Sequence, residues 1–275
     1  MSTSEAVEES GLKSPEEKSV VTACGVIILK VIIPLLILVT LWQIISSIAG
    51  SSLEDVAAAF WRLVTEGDSE GHFLIDHVRM SLIRVVIGFF FAIITAVPLG
   101  IVIGRYRLAD SILGPIVEAT RPIPPIAWIP LAILMFYRNM LGAQVFIIWV
   151  GAFFPILTNT VTGVKRTEPV HIDSAKTFGA SELQILSKIV IPSAGPEIFA
   201  GLRIGFGIGW MCLVAAEMIG GGLGLGYLVL IMQQVGRTGA VIVSMLLIGL
   251  IGFLISSFFL LIEKQLLKWR QTVSV

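Results

Sequence analysis

Long apolar blocks alternate with short polar links along most of this chain. A helix that spans a bilayer needs about 20 mostly apolar residues. Blocks of that length predict spans at about 25–47, 82–104, 112–136, 143–163, 203–220 and 240–262. No stretch between the blocks is long enough to fold as a separate soluble domain. The pattern therefore predicts an all-α integral membrane protein with about six transmembrane helices in one membrane domain, residues 23–264.

The two ends of the chain are more polar than the blocks. Residues 1–22 are rich in glutamate and predict a disordered tail, and residues 265–275 form a predicted C-terminal tail. The first apolar block is longer than the 7–15-residue core that is typical, roughly, of a signal peptide. We therefore interpret that block as a retained span rather than a cleaved leader.

Lysine and arginine in short links indicate which side of a membrane each link occupies. The cationic residues of one predicted side are Lys13, Lys18, Arg105, Arg107, Lys165, Arg166, Lys176, Lys188, Lys264, Lys268 and Arg270. The opposite links carry Arg62, Arg79, Arg84, Arg138 and Arg237. This distribution predicts that both termini are cytoplasmic, which agrees with an even number of spans.

The link 50–81 contains the segment LEDVAAAFWRLV, which predicts a short interfacial helix with Val56, Phe60 and Leu63 on one apolar face. His72 and His77 lie in the same link. Their five-residue spacing does not suit helical metal ligands, and no cysteine lies nearby to assist them. We interpret both histidines as polar loop residues near the lipid headgroups and predict no metal site.

Composition narrows the function classes. The chain is 56% hydrophobic and only 14% charged, whereas soluble domains carry about 25% charged residues. Nineteen basic residues balance nineteen acidic ones, so nothing indicates a nucleic-acid partner. The two cysteines, Cys24 and Cys212, lie far apart in apolar surroundings and fit neither a disulfide framework nor a metal pair.

Nucleotide-binding motifs are missing from the sequence. It contains no Gly-Lys pair, so it has no phosphate-binding P-loop. The glycine-rich run from Gly220 to Gly226 follows a predicted span rather than a strand. We interpret this run as a flexible turn on the outer side.

The polar-and-apolar segment DSAKTFGASELQILSKIVIP, from Asp173 to Pro192, interrupts the apolar pattern. Asp173 is predicted to cap the start of a helix, and Ala175 and Phe178, three residues apart, are predicted to share one face of it. Gly179 permits a backbone turn that a side chain would resist. The first half of the segment therefore predicts a short helix that ends in a turn.

The second half of the segment predicts another helix. Ser181 and Gln184 have the spacing of a capping box, and Pro192 is predicted to interrupt the helical hydrogen bonding. The intervening apolar stripe is Leu183, Leu186, Ile189 and Val190. Two interpretations stay open: the stripe rests on the protein's own bundle or on lipid, or it docks in a groove of a partner.

This segment resembles the EAA loop of permeases from ATP-binding-cassette importers. The family pattern is Glu-Ala-Ala, three residues, Gly, nine residues, then Ile-x-Leu-Pro. The present chain has Asp173-Ser174-Ala175, three residues, Gly179, nine residues, then Ile189-Val190-Ile191-Pro192. The segments RPIPPIAWIPLAIL, GAFFPILTNTVTGV and GLRIGFGIGWMCLVAAEMIGGGLGLG resemble the nitrate/sulfonate/taurine/bicarbonate branch of these permeases. FYRNMLGAQ stands where many relatives carry an FG-x-G type segment, which weakens the transfer of a solute but not of the family.

The resemblance implies a type I importer permease fold, with coupling helices in a loop at about 165–196 between the fourth and fifth spans. It implies that the chain is not an enzyme and holds no cofactor, because ATP and Mg are bound by a separate ATPase. The implied partners are two ATPase subunits, a second copy of the chain, an extracytoplasmic solute-binding protein and the bilayer. The implied ATPase contacts are Asp173, Ser174, Ala175, Phe178, Gly179, Ala180, Leu183, Ile189 and Pro192.

Charged side chains within predicted spans are costly and usually face a cavity or a partner. Glu118 and Arg121, three residues apart, could pair as a structural ion pair, or Arg121 could present its guanidinium fork to a small anion. Trp210 and Glu217, two turns apart, could face the same pathway. These four residues are the candidate substrate pathway.

Two features bear on packing in the predicted bundle. Gly201, Gly205, Gly207 and Gly209 predict close helix contact, within one subunit or between two. Six helices are few to enclose a pathway, so we expect two copies side by side.

Two other function classes compete with the permease. A membrane-embedded enzyme would use Glu118, Glu217 or the histidines as acid or base, but the sequence shows no convincing pair. An ATP-independent channel or secondary carrier for a small anion is the main alternative, although carriers often contain inverted repeats and none is evident. Neither class accounts for the Asp173–Pro192 segment.

Overall fold

The structure, a computed structural model, describes residues 50–266 and six isolated helical positions between 33 and 44. The predicted tail 1–22, most of the predicted span 25–47 and nearly all of the predicted tail 265–275 lie outside the described residues. The chain divides into two compact units, Met1–Asp55 and Val56–Val275. Apart from the first turn of α1, the elements below belong to the second unit.

The described part of the chain is helical and contains no strand. In chain order the elements are α1 Leu53–Thr65, α2 Leu74–Arg105, α3 Arg107–Thr120, a 3₁₀ turn Pro125–Trp128, α4 Ile129–Met135, α5 Met140–Lys165, α6 Pro169–Thr177, α7 Glu182–Gly220, α8 Leu225–Gln234 and α9 Thr238–Leu266. Within these residues α2, α5, α7 and α9 are long and apolar enough to cross a membrane. The short helix predicted in the link 50–81 is confirmed as α1, although Ala59 rather than Phe60 is buried beside Val56 and Leu63. Its interfacial position stays a prediction.

Helix α5 packs against both α2 and α7, and glycines permit the close approach. A Cβ added at Gly88 of α2 would lie 2.7 Å from the Cβ of Ile148 in α5. A Cβ added at Gly205 of α7 would lie 2.8 Å from Ile156. The predicted role of the α7 glycines in helix contact is therefore confirmed within one subunit for Gly205. Gly207, by contrast, faces open space.

The predicted third span, 112–136, is wrong as a single helix. Helix α3 ends at Thr120, and the chain resumes helical structure only in the 3₁₀ turn and α4. Pro122, Pro124 and Pro125 cause the break, because proline donates no backbone hydrogen bond and biases the preceding residue away from the helical region. Pro130 is tolerated because it lies in the first turn of α4.

The predicted fifth span, 203–220, is only the end of a longer helix. Helix α7 already begins at Glu182, so the prediction that Pro192 interrupts helical bonding is also wrong. A π-helical turn, Leu186–Val190, directly precedes Pro192. It widens the helix where the proline ring would otherwise clash with a carbonyl of the preceding turn, and the helix continues.

Candidate functional site: a helical hairpin, a polar groove and a buried ion pair

The first arm of the hairpin is α6. It begins at Pro169, with Glu168 as the preceding cap residue, and proline suits this first position because the missing N–H has no partner there in any helix. Asp173 therefore lies inside the helix rather than at its start, and its predicted capping role is wrong. Asp173 and Ser174 are both exposed on this arm.

Gly179 ends the first arm with a left-handed turn. Its φ is +76°, and the Gly179 N–H donates to the carbonyl of Lys176 while the Ala180 N–H donates to that of Ala175. These two bonds form a Schellman motif, in which a glycine with positive φ follows the helix. The predicted turn at Gly179 is confirmed.

Ser181 opens the second arm. Its hydroxyl accepts a hydrogen bond from the Gln184 N–H at 3.4 Å, and the Gln184 side chain accepts one from the Ser181 N–H at 2.8 Å. The predicted capping box is confirmed. Because α7 runs without a break from Glu182 to Gly220, this arm is the first part of a 39-residue helix rather than a separate short helix.

The hairpin divides its apolar residues between two faces. Ile185 and Val190 are buried against Val164 and Ala194, with Ala175, Ala180 and Leu186 packed partly against them. Phe178 is 90% exposed and Leu183 is 79% exposed. The prediction that Ala175 and Phe178 share a face is therefore wrong, because the chain has already left α6 at Phe178. Inner residues rest on the bundle, whereas Phe178 and Leu183 project from it.

A polar groove of about 210 Å³ lies between α3 and α5. Glu118 and Arg121 both line this groove, but among the residues that the structure describes they form no ion pair. Asp110 and Lys165 do pair in the groove, with 2.8 Å between Lys165 Nζ and each carboxylate oxygen. Arg121 therefore keeps its donors available within a cavity.

Trp210 and Glu217 do not line this groove. Both are buried, and Trp210 Nε1 donates to the carbonyl of Ile248 at 3.1 Å. Glu217 accepts hydrogen bonds from Arg84 Nη1 at 2.8 Å, from the Ser81 hydroxyl at 2.8 and 3.0 Å, and from the Gly226 N–H at 2.9 Å. Of the four candidate pathway residues, the structure thus places Glu118 and Arg121 together in the groove and buries Trp210 and Glu217 in the core.

His77 is fully buried in α2, so its interpretation as a polar loop residue is wrong. Its Nε2 lies 3.1 Å from Asp68 Oδ2, and its Nδ1 lies 3.1 Å from the Gly224 nitrogen. A carboxylate only accepts hydrogen bonds, so Nε2 carries a proton. Nδ1 also lies 3.0 Å from the Gly224 carbonyl oxygen, so it contacts both backbone groups of Gly224. His77 thereby ties the glycine-rich turn to α2.

The buried cluster had one sequence signal. His77, Ser81 and Arg84 are four and three residues apart, which places them on one face of α2. Three polar side chains on one face of a spanning helix indicate a polar partner inside the bundle. The partners themselves, Glu217 and Gly224, are more than 130 residues away along the chain.

The loop before α2 brings three ionisable groups together. Oxygens of Asp68 and Glu70 and Nδ1 of His72 all lie within 4.8 Å of one another, which is close enough to be considered for a cation. Asp68 already accepts the N–H groups of Glu70 and His72 and faces His77. Burial alone would raise the pKa of Asp68, but these hydrogen bonds and the nearby His77 lower it overall.

The fold and these sites define an all-helical, multi-pass membrane protein. Residues 88–269, more than half of the chain, match the family described as "Binding-protein-dependent transport system inner membrane component". The chain belongs to this family and is a permease component of an ATP-binding-cassette importer.

Two relatives illustrate the similarity. A putative ABC transporter permease protein of Methanocaldococcus jannaschii is 45% identical over 199 residues, which are 72% of this chain and 74% of the relative. The taurine transport system permease protein TauC of Escherichia coli K12 is 32% identical over 245 residues, 87% of this chain and 89% of the relative.

A third relative and one solved structure extend the comparison. The nitrate import permease protein NrtB of Leptolyngbya laminosa is 32% identical over 227 residues, 80% of this chain and 81% of the relative. A chain of the MetNI methionine ABC transporter, solved in an inward-facing conformation, has a TM-score of 0.62 at 20% identity. The similarity covers 70% of this chain and 95% of that one and shows a shared fold.

Proposed function

We propose that two copies of this chain form the translocation pathway of an importer that a separate, ATP- and Mg-binding ATPase subunit drives through the hairpin. An extracytoplasmic binding protein delivers the solute, and both termini lie in the cytoplasm, in keeping with the distribution of lysine and arginine. The observation that carries this proposal is the exposure of Phe178, at 90%, and Leu183, at 79%, beside the left-handed turn at Gly179.

The hairpin has the properties of a docking element. Burial of a large apolar side chain stabilises a complex by roughly 1.5–3 kcal/mol, and amphipathic helices commonly bind in apolar grooves. Ile185 and Val190, buried on the opposite face, hold the hairpin to the bundle. An ATPase that covers Phe178 and Leu183 therefore pulls on an element that is anchored in the membrane domain.

Continuity of the backbone gives the transmission route. The second arm is the first part of α7, which runs from Glu182 to Gly220, so a displacement of the arm moves the end of a spanning helix directly. Rigid elements of this kind carry domain motions between two arrangements. The ATPase thus changes access to the pathway by shifting α7 against α5.

We propose a small anion as the solute. Relatives are named as permeases for taurine, nitrate, aliphatic sulfonates and bicarbonate, all of which are small anions or carry an anionic group. Arg121 lines the groove beside α3 without an ion-pair partner in the described part of the chain, and its planar guanidinium suits oxyanions. Glu118 in the same groove sets the local charge, whereas Trp210 and Glu217 hold the helices together through buried hydrogen bonds.

The experiment uses the Phe178→Ala/Leu183→Ala double variant with the cognate ATPase and binding protein. Both side chains are exposed, so we expect normal insertion and stability but loss of ATPase co-purification and at least a tenfold loss of ATP-dependent uptake in proteoliposomes. Leu134→Ala is the matched control, because Leu134 is 72% exposed on α4. Labelled taurine, nitrate and bicarbonate are compared as solutes.

Two results would contradict the proposal. Co-purification and uptake by the double variant at the level of the Leu134→Ala control would remove the docking role of the hairpin. Uptake of the same solutes by the chain alone, without ATPase or ATP, would favour a channel or secondary carrier instead.

A further inference from the structure

A second pocket, of about 280 Å³, lies where the end of α2, the start of α3 and the base of the hairpin meet. Its charged lining residues are Arg105, Arg107, Asp110 and Lys165, and Thr167 and Ile172 lie beside them. Three cations face one anion. Its volume is near the lower end of ligand pockets, which span roughly 300–1,000 Å³.

Part of this charge is already compensated. Lys165 Nζ lies 2.8 Å from both carboxylate oxygens of Asp110, so these two side chains neutralise each other. Arg105 Nη2 lies 3.0 Å from Glu182 at the outer edge of the hairpin. Arg107 has no ion-pair partner in the part of the chain that the structure describes, and it leaves the pocket with a net positive charge.

Two hydrogen-bond donors around the pocket are buried without acceptors. Thr167 is only 6% exposed, and its hydroxyl has no hydrogen-bond partner among the described residues. Arg105 Nε is also buried and also has no hydrogen-bond partner among the described residues. Most buried donors in proteins are satisfied, because an unpaired donor forfeits the hydrogen bonds that it made with water. Neither donor atom is exposed in the pocket, so an acceptor-rich, negatively charged occupant would supply the missing acceptors once the two side chains turn toward it.

We propose that this pocket binds a phosphate-type oxyanion through Arg107, Arg105 and Thr167. The pocket adjoins the groove that contains Arg121 and shares Ile103, Asp110 and Lys165 with it, but Arg105, Arg107 and Thr167 line only the pocket. The oxyanion is either free in solution or the headgroup of an anionic phospholipid, since both present the same phosphate oxygens. Thr167 lies between α5 and α6, and Ile172 belongs to α6. The occupant therefore bridges α3 to the base of the hairpin and restricts its movement.

The test measures binding of inorganic phosphate to the purified full-length chain in a neutral detergent, by the shift in thermal unfolding midpoint at constant ionic strength. We expect phosphate to raise the midpoint relative to chloride. Arg107→Gln should weaken the apparent affinity about tenfold or more, because a hydrogen bond to a charged group is lost. Arg138→Gln is the matched control, since it removes an exposed arginine outside the pocket.

Thr167→Val separates binding from structure. The substitution keeps the side-chain shape and removes only the hydroxyl, whose loss should not lower the midpoint in the absence of phosphate because the hydroxyl has no partner. We expect a phosphate affinity at least threefold weaker than that of the native chain. A binding role predicts this combination, whereas a purely structural role predicts a lower midpoint without ligand.

A second experiment, with lipids, distinguishes the two sources of the oxyanion. The chain is reconstituted in nanodiscs of phosphatidylcholine with or without phosphatidylglycerol, and retained lipid is measured by mass spectrometry after delipidation. Retention of phosphatidylglycerol by the native chain and Arg138→Gln, but not by Arg107→Gln, identifies a headgroup. Phosphate stabilisation in phosphatidylcholine alone identifies the free anion. If neither probe distinguishes Arg107→Gln from Arg138→Gln, the pocket holds only water and the proposal is wrong.

Discussion

The Nη1 atom of Arg84 in α2 lies 2.8 Å from Oε1 of Glu217 in α7, and both side chains are buried. The Ser81 hydroxyl and the Gly226 N–H also donate to the carboxylate, while Arg84 donates to the carbonyl of Leu223. Charge in a membrane interior is tolerated when it is paired and hydrogen-bonded in this way. The pair therefore joins two long helices and fixes the glycine-rich turn between α7 and α8.

Removal of either partner should destabilise the chain strongly. We expect Arg84→Ala or Glu217→Ala to cost about 3–5 kcal/mol, because each leaves an uncompensated buried charge. The double variant should cost less than the sum of the two. Unfolding by SDS titration in mixed micelles measures these values, and a double-mutant cycle isolates the coupling.

Asp110→Ala serves as the control for this pair. Its ion pair with Lys165 is about 40–47% exposed, and exposed pairs are worth about 0–1 kcal/mol. Additive effects of Arg84→Ala and Glu217→Ala would show that the two charges do not interact in the membrane.

Local features of the hairpin could be predicted from the sequence because a few neighbouring residues determine them. The turn at Gly179 and the capping box of Ser181 and Gln184 depend on residues within five positions of each other. The prediction of a continuous third span is wrong, because it rests on apolar length alone and does not include the combined effect of Pro122, Pro124 and Pro125 on the helix.

Long-range contacts could not be predicted in the same way. Glu217 is assigned to the candidate substrate pathway by the sequence because nothing in the sequence pairs it with Arg84, 133 residues earlier. The stripe that includes Leu183 and Val190 was correctly identified as apolar, but its division between a buried and an exposed face depends on where the bundle lies. Tertiary packing determines which side of an apolar stripe is buried, and the helical periodicity of the sequence carries no information about that packing.

The glycine-rich turn should respond differently to alanine at two nearby positions. A Cβ at Gly224 would overlap the carboxylate of Glu217, whereas a Cβ at Gly222 meets nothing within 4 Å. Both residues have positive φ. We expect Gly222→Ala to cost about 1–2 kcal/mol through backbone strain alone, and Gly224→Ala on the order of 3 kcal/mol or more through added overlap.

The same SDS titration measures both variants, and the difference between them is the informative quantity. Equal losses would mean that Glu217 does not occupy the position beside Gly224. In the Glu217→Ser background, Gly224→Ala should cost only about as much as Gly222→Ala costs in the native chain, and this smaller loss would support the overlap directly.

The hairpin turn offers a similar comparison. Alanine at Gly179 meets no atom within 4 Å but must adopt a φ of +76°, so we expect local destabilisation of about 1–2 kcal/mol. Gly207→Ala is the control, because Gly207 is helical, faces open space and should gain up to about 1 kcal/mol in helix propensity. Hydrogen exchange at residues 175–185 measures the local effect. Unchanged protection in Gly179→Ala would contradict the observed turn.

The loop before α2 should lose stability in acid. Hydrogen bonds from the backbone of His72 and Glu70 hold the pKa of Asp68 below its ordinary value of 3.8, although burial alone would raise it. A carboxyl group with a lowered pKa stabilises the folded state above its unfolded pKa, and this contribution disappears as the pH falls through the folded pKa. The stability difference between the native chain and Asp68→Asn should therefore be constant above about pH 5 and shrink below pH 4.

Thermal midpoints between pH 6 and pH 3 test this dependence. Asp173→Asn is the control, since the exposed Asp173 carboxylate accepts no hydrogen bond within the described part of the chain, and its difference from the native chain should stay small throughout. If the difference in thermal midpoint between the native chain and Asp68→Asn grew toward pH 3, the pH dependence would have the opposite sign to the one expected. That result would mean that protonated Asp68 is the form favoured by the fold, and that the N–H groups of Glu70 and His72 do not stabilise its charge.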